Sequence, residues 1–181
     1  MSELHIVDQP LPGVYLLDCP CFFDQRGEFT KLFHADSLLS HGVSFAPAEL
    51  FLTRSKRGVL RGMHFQVGQS SHDKLVACIQ GSVLDVVVDV RPDSNTFNKP
   101  FSIELSESNN RALLISKGYA HGFLSLADNS SMIYSTTTVH NPLLDRGVRW
   151  DSIAFDWPID NPLLSNRDKS HISINQCQEE F

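Results

Sequence analysis

Short apolar runs separated by glycine, proline and asparagine dominate the chain, a pattern typical of β-strands. One short helix is predicted over residues 35–40, and a second near the C-terminus. Residues 142–147, and everything after Trp150, are predicted to form ordered loops and a closing tail. Many short strands joined by tight turns favour a closed or sandwiched antiparallel barrel. The predicted strands are residues 59–66, 74–80, 83–90, 101–105, 112–115, 122–126 and 132–138.

Alternation within these strands predicts which side chains share a face. In residues 83–90 the even positions are all apolar, whereas Asp85 and Asp89 lie together on the other face. In residues 59–66, His64 points opposite to Arg61 in a regular strand. If both residues serve one pocket, the strand needs a bulge or twist at Gly62.

The same alternation predicts a polar group inside the barrel. A lumen holding imidazoles, a phenol, an ammonium and a carboxylate is suited to a small-molecule site at the mouth of a β-barrel. The side chains predicted to meet there are His64, His121, Tyr134, Lys74 and an acid.

Composition narrows the class of protein. The 181 residues show no break in composition, so we expect a single domain over residues 1–181. The net charge of -6 offers no basic field for nucleic acid. No apolar run has the length of a membrane span, and the N-terminus lacks the pattern of a signal peptide. These features predict a cytoplasmic protein without nucleic-acid or membrane partners.

A series of motifs runs in order from about residue 10 to about residue 170: Arg26-Gly27, residues 58–66, residues 74–76, residues 81–91, residues 118–123, residues 145–150 and residues 164–168. Their order and content resemble those of the dTDP-4-dehydrorhamnose 3,5-epimerase family. The resemblance implies an all-β fold, a cupin-type jelly-roll antiparallel barrel with a few short helices. It also implies a homodimer in which part of residues 1–35 reaches the partner's site and residues 150–181 close the domain.

The chemistry implied by the family is epimerisation of a nucleotide-diphosphate sugar. The C4 ketone of a 4-keto-6-deoxy sugar acidifies the protons on C3 and C5, so either centre can be inverted through an enolate. Deoxysugar synthesis for O-antigen or lipopolysaccharide is the implied setting. The reaction implies no cofactor and no metal.

Catalytic roles carry over from the family by position. His64 is the implied base, and Asp168 orients it and stabilises its protonated form. Tyr134 returns a proton from the opposite face of the sugar, while Lys74 stabilises the enolate. Arg61 is implied to grip the diphosphate through charge-assisted hydrogen bonds.

Further substrate contacts are also implied by the resemblance. Arg26 would reach the diphosphate from the partner chain. His121 contacts the ligand or has a purely structural bond to Asp85 or Asp89. The other predicted contacts are Phe29, Lys31, Glu49, His140, Asp145 and Arg167.

Several positions depart from the family pattern near the nucleotide. Lys31 replaces a glutamate, Glu49 and Phe51 replace the ends of a Gln-x-Asn motif, and His140 replaces an aromatic residue. An ammonium only donates hydrogen bonds where a carboxylate accepts them. The changes predict a nucleotide other than dTDP, with CDP first and GDP second. They also leave open whether C3, C5 or both centres are inverted.

Two other functions compete with epimerisation. A metal-dependent cupin enzyme commonly has a second histidine two residues after the first, but Gln66 occupies that position after His64. His64 and His121 alone are a thin ligand set for a metal. A catalytically silent cupin that binds a sugar nucleotide is the other alternative. A pure binder has no need to keep a base and an acid together.

Overall fold

A computed structural model describes the backbone of residues 3–180 and the side chains of residues 3–177. The ends of the predicted domain therefore lie outside the described residues. Thirteen strands and two short α-helices occur in the described part, together with 3-10 turns at Gly68–Ser70, Trp150–Ser152 and Ile174–Glu180. The helices are α1 (Ala35–Ser40) and α2 (Asn166–Lys169). The strands are β1 (His5–Leu11), β2 (Val14–Asp18), β3 (Cys21–Asp24), β4 (Gly27–Thr30), β5 (Glu49–Ser55), β6 (Leu60–Gln66), β7 (Lys74–Gln80), β8 (Ser82–Asp89), β9 (Pro100–Ser106), β10 (Arg111–Ile115), β11 (Tyr119–Ser125), β12 (Ser130–Thr136) and β13 (Asp145–Gly147).

Two antiparallel sheets face each other. The larger has the strand order β1-β2-β10-β7-β12-β5, and the smaller has the order β13-β6-β11-β8-β9. Strands β3 and β4 form a separate hairpin. Every pairing between named strands is antiparallel. The predicted all-β, jelly-roll architecture with a few short helices is confirmed.

Strand β8 shows how alternation sorts side chains between layers. Val83 and Val87 pack between the sheets, in a core to which β7 and β12 contribute Val76 and Met132. Val86 and Val88 face the opposite way and are covered by the C-terminal segment, including Ile153, Ile174 and Cys177. A third apolar cluster fills the outer side of the larger sheet beneath α1. The predicted faces of this strand are confirmed.

Each predicted strand is present, with bounds that shift by no more than a few residues. The prediction of loops alone over residues 142–147 is wrong, because Asp145–Gly147 pairs with β6. Strands β1 to β5 were not predicted. Their side chains are largely half-buried or exposed, which weakens the apolar signal on which a strand prediction rests.

The described residues include no helix long and apolar enough to cross a membrane.

Candidate active site

A cavity of about 430 Å³ opens between the two sheets. The smaller sheet contributes side chains from β6, β11 and β13 to its wall, and the larger contributes side chains from β5, β7 and β12. The segment around α2 closes one side. Its predicted site residues are His64, Tyr134, Asp168, Lys74, Arg61, His121, Glu49, His140, Asp145 and Arg167.

A bulge in β6 lets both predicted residues of that strand reach the cavity. His64 pairs with His121 and Arg61 pairs with Phe123, so three steps along β6 match two along β11. Gly62 lies at this shift with φ of +128°. A Cβ at this position would sit 2.5 Å from the Cα of Gly122, so the approach of the two backbones requires glycine. The predicted irregularity at Gly62 is confirmed.

His64 is hydrogen bonded to Asp168 across two distant parts of the chain. Nε2 of His64 lies 2.6 Å from Oδ1 of Asp168. Asp168 is buried in α2, and its backbone N–H donates to the side chain of Ser165, the N-cap, at 3.0 Å. This cap fixes the first turn of α2 and with it the carboxylate.

Burial and hydrogen bonding shift both groups of this pair. Burial lowers the pKa of His64 and outweighs the opposing effect of Asp168, so the imidazole is neutral near pH 7. Burial alone would raise the pKa of Asp168, but the nearby His171 imidazole and the hydrogen bond with His64 lower it strongly. With Asp168 ionised, the bonded Nε2 of neutral His64 carries the proton, and Nδ1 keeps the basic lone pair.

The side chain of Lys74 is a buried cation at the bottom of the cavity. Its Nζ donates to the backbone carbonyl of His64 at 3.2 Å. Burial lowers the pKa of Lys74 to about 8, against the attraction of Asp85 and Asp145. The ammonium is therefore charged at neutral pH but is close to its titration range.

Tyr134 faces the cavity from the larger sheet. Burial raises the pKa of its phenol, which keeps the hydroxyl protonated throughout the neutral range. Its ring stacks on Phe51 with 4.7 Å between centroids and an interplanar angle of 6°. The edge of His121 lies at 6.0 Å between centroids, so Tyr134 is fixed from two sides.

His121 forms its own pair with an acid. Nε2 of His121 lies 2.8 and 3.0 Å from the two carboxylate oxygens of Asp85. Asp89, the other acid considered for this bond, instead accepts hydrogen bonds from Arg91, Ser94 and Thr96. Asp85 is therefore the acid partner of His121 within the lumen.

A network of charged groups forms the rim. Arg167 and Asp145 form an ion pair of 2.5 Å, and His140 Nε2 lies 3.3 Å from the same carboxylate oxygen of Asp145. The backbone N–H of His140 donates to Glu49 at 2.8 Å. These contacts link β5, β13 and α2 at the opening of the cavity.

Three predicted contacts lie away from this cavity. Phe29 and Arg26 belong to the β3–β4 hairpin, where the Arg26 side chain is 86% exposed and bonded to Asp24. Lys31 follows β4, and its backbone bonds to Pro20. Within the described chain these residues do not meet the cavity, so a role for them in this site requires a second subunit.

Sequence reasoning missed part of the wall. Phe51 was noted only as a departure from a motif, and Thr53 follows it on the same face of β5. His72 borders the cavity beside Gln66, with 3.0 Å between Gln66 Nε2 and His72 Nδ1. His171 lies close to Asp168 on the side away from the cavity. Its position three residues after Asp168 was the signal in the sequence that could have identified it.

Metal ligation is a geometric possibility for one group of side chains. Ligand atoms of His64, Asp168 and His171 lie within 4.8 Å of one another. Two ligands of one tetrahedral zinc ion are about 3.3 Å apart, from bond lengths of about 2.0 to 2.1 Å. The 2.6 Å between His64 and Asp168 is instead the length of a strong hydrogen bond. The group is therefore organised around the hydrogen bond between the His64 imidazole and the Asp168 carboxylate.

Comparison with known proteins gives consistent matches over the whole site. The family model of dTDP-4-dehydrorhamnose 3,5-epimerase matches residues 8–176. The enzyme of that name from Escherichia coli strain K12 is 38% identical over 179 residues, which cover 96% of each chain.

Solved structures share the fold closely. The dTDP-4-dehydrorhamnose 3,5-epimerase of Bacillus anthracis, solved with TDP and pyrophosphate, has a TM-score of 0.91 and 32% identity, covering 94% of this chain and 99% of that one. A 3'-monoepimerase of Streptomyces bikiniensis, solved with dTDP-quinovose, has a TM-score of 0.88 and 28% identity, covering 94% and 88%. The chain belongs to the dTDP-4-dehydrorhamnose 3,5-epimerase family.

Proposed function

We propose that this protein is an isomerase that inverts C3, C5 or both centres of a nucleotide-linked 4-keto-6-deoxy sugar, for deoxysugar synthesis of the O-antigen or lipopolysaccharide type. One observation carries the proposal. A neutral imidazole bonded to an ionised carboxylate, a buried ammonium and a protonated phenol all border one cavity between two sheets. This set supplies each group that enolate chemistry requires. A binding protein without activity would need none of these protonation states.

Inversion begins with removal of a proton from the carbon next to the C4 ketone. Nδ1 of His64 takes the proton, the electron pair of the C–H bond forms the C=C bond of the enolate, and the π pair of the C4 carbonyl moves to its oxygen. Asp168 stabilises the resulting imidazolium through its bond to Nε2. Lys74 stabilises the negative oxygen of the enolate, where charge develops in a cavity largely shielded from water.

Reprotonation must come from the other face of the sugar for the centre to invert. Tyr134 lies on β12 of the larger sheet, whereas His64 lies on β6 of the smaller one. The phenol gives its proton to carbon as the enolate returns to the ketone. Proton exchange with water then restores Tyr134 and His64.

Arg61 and the N-terminal hairpin are proposed to bind the diphosphate, the hairpin acting across a homodimer. Arg61 borders the cavity, and its Nε donates to Ser55 Oγ at 3.0 Å, which orients the guanidinium. The hairpin exposes Phe23 and Phe29 at 74% and 59%, and Arg26 lies at its turn. If a second subunit packs on these two phenylalanine rings, Arg26 lies at the cavity of that second subunit.

The base of the nucleotide is proposed to be read at the rim. Glu49 stands there with one carboxylate oxygen bonded to the N–H of His140. A carboxylate accepts hydrogen bonds, and the exocyclic amine of cytosine donates one that thymine lacks. This position, together with Phe51, His140 and the Lys31 of a second subunit, favours CDP ahead of GDP. The relatives compared above are named for dTDP-linked sugars, so dTDP is the competing base.

The first prediction concerns proton exchange. In deuterium oxide, NMR will show solvent deuterium entering C3, C5 or both positions of a 4-keto-6-deoxy sugar nucleotide, and the configuration of the product at each labelled carbon gives the centres inverted. Tyr134→Phe will lower turnover about 10²- to 10⁴-fold, since a general acid contributes that much. Tyr15→Phe, remote from the cavity in the outer cluster, will stay within twofold of the unaltered protein. No exchange at either carbon would contradict the proposed function.

The second prediction concerns pH. Catalysis needs neutral His64, which is populated above its lowered pKa, and charged Lys74, which is populated below about 8. We therefore expect kcat/KM to fall on the acid side below the ordinary histidine range and on the alkaline side from about pH 8. Lys74→Arg keeps a cation at high pH, so its alkaline limb will move beyond pH ~10. A profile of the unaltered protein that stays flat through pH ~9 would contradict the lowered pKa of Lys74, and an alkaline limb that does not move in Lys74→Arg would show that another group causes it.

The third prediction concerns the dimer. Arg26→Ala and Lys74→Met subunits, each weakly active alone, will be unfolded together and allowed to reassemble. If Arg26 acts on the partner's site, each mixed dimer holds one intact site and random pairing restores about one quarter of full activity. His64→Asn mixed with Lys74→Met is the control, because both residues serve the same cavity and no activity will return. Absence of recovery with Arg26→Ala would place Arg26 outside the partner's site.

The fourth prediction concerns the nucleotide. Calorimetry will give a lower Kd for CDP than for dTDP, by about 2- to 10-fold, the range of one hydrogen bond. Glu49→Gln will reduce this ratio, whereas Glu104→Gln on the exposed face of β9 will preserve it. A clear preference of the unaltered protein for dTDP would overturn the assignment to CDP.

A further inference from the structure

A second histidine lies behind the His64–Asp168 pair. Nε2 of His171 is 3.5 Å from Oδ1 of Asp168, the same oxygen that bonds to His64. The His171 side chain is only 10% exposed. Its Nε2 is buried and has no partner that meets the geometry of a hydrogen bond among the described residues. A buried imidazole nitrogen aimed at a carboxylate needs an explanation, because leaving such a group unpaired costs free energy.

The surrounding backbone holds the His171 ring in this place. The next residue, Ile172, forms a bridge with Val148 and accepts a hydrogen bond from the N–H of Arg149 at 2.8 Å. Gly147 lies against the ring, and a Cβ at that position would overlap the imidazole. The ring therefore occupies a space that glycine leaves open, beside the strand that pairs with His64.

His171 also touches the proposed base directly. The rings of His171 and His64 meet edge to face, with 5.4 Å between centroids and 74° between planes. Two imidazoles therefore flank one carboxylate, and a proton on His171 opposes a second proton on His64. Arg167 on α2 adds a further positive charge that acts in the same direction on His64.

We propose that His171 is a positioning residue for the epimerase reaction: in the working enzyme its Nε2–H donates to Asp168, which orients that carboxylate toward His64 and opposes a second proton on His64. The inference rests on the proposed function, because that function assigns His64 as the base. His171 acts on the reaction through Asp168 and His64, because these two residues lie between His171 and the cavity.

The arrangement divides the two lone-pair regions of one oxygen between two donors. His64 takes the short bond of 2.6 Å, and His171 approaches the same oxygen at 3.5 Å. The hydrogen bond to Ser165 fixes the backbone of Asp168, and the rings of His64 and His171 orient its carboxylate group. Loss of His171 would leave the carboxylate of Asp168 free to rotate and would misdirect Nδ1 of His64.

Two substitutions separate hydrogen bonding from packing. His171→Phe keeps a ring against Gly147 but has no donor, whereas His171→Gln keeps an N–H donor. We expect kcat of His171→Phe to fall about 10-fold with KM within about twofold, and His171→Gln to recover most of the loss. His5→Gln, an exposed histidine on β1, will match the unaltered protein.

A measurement without substrate separates this inference from the proposed function. An NMR titration of the His64 ring will show a higher pKa in both His171 variants, because both remove a competing imidazole. The groups that face His64 and contribute to its titration are Asp168, Arg167 and His171. An unaltered protein without epimerase activity would refute the proposed function while the titration still tests the coupling.

Two results would overturn the inference. One is an unchanged His64 pKa in both variants, with kcat of His171→Phe within twofold of the unaltered protein. The other is equal loss of kcat in His171→Phe and His171→Gln, which would assign His171 a packing role alone. Thermal unfolding of each variant will show that the folded protein is being compared.

Discussion

The contact between the backbones of β6 and β11 is the constraint on which the site depends. Gly62 and Gly122 approach so closely that neither position has room for a side chain. The resulting bulge makes three residues of β6 match two of β11. Because of that mismatch, His64 and Arg61 both reach one cavity, although a regular strand would direct them to opposite faces. The proposed base and the residue proposed to bind the diphosphate thus come from a single strand.

Burial in this one cavity shifts several ionisation equilibria in directions that suit the chemistry. It lowers the pKa of His64 and of Lys74 and raises that of Tyr134. The base is then unprotonated and the acid protonated at the same pH. Lys74 remains charged because Asp85 and Asp145 oppose the effect of burial. The same desolvation strengthens each electrostatic interaction with an enolate.

Period-two alternation predicted the layers of β8 and the inward-facing group formed by His64, His121 and Tyr134, because buried strands leave a clear pattern. It missed β5, whose residues 50 to 52 are all exposed and apolar, so no alternation marks the strand. The partner of His64 could not be derived from spacing alone. Asp168 lies 104 residues further on, and its position depends on a cap at Ser165 and on the packing of the C-terminal segment. Only the family resemblance linked the two.

Among the histidine–carboxylate contacts of the site, the His64–Asp168 and His121–Asp85 pairs have the short hydrogen bonds, and exposure decides which of these two is suited to act as a base. The side chains of His121 and Asp85 are 3% and 0% exposed, and His121 is bonded to both carboxylate oxygens. The His64 side chain is 29% exposed, and its pairing leaves Nδ1 available. A base must reach a carbon-bound proton and later exchange that proton with water. The buried pair is therefore suited to holding the ring of Tyr134 at its edge, while the partly exposed pair is suited to moving protons.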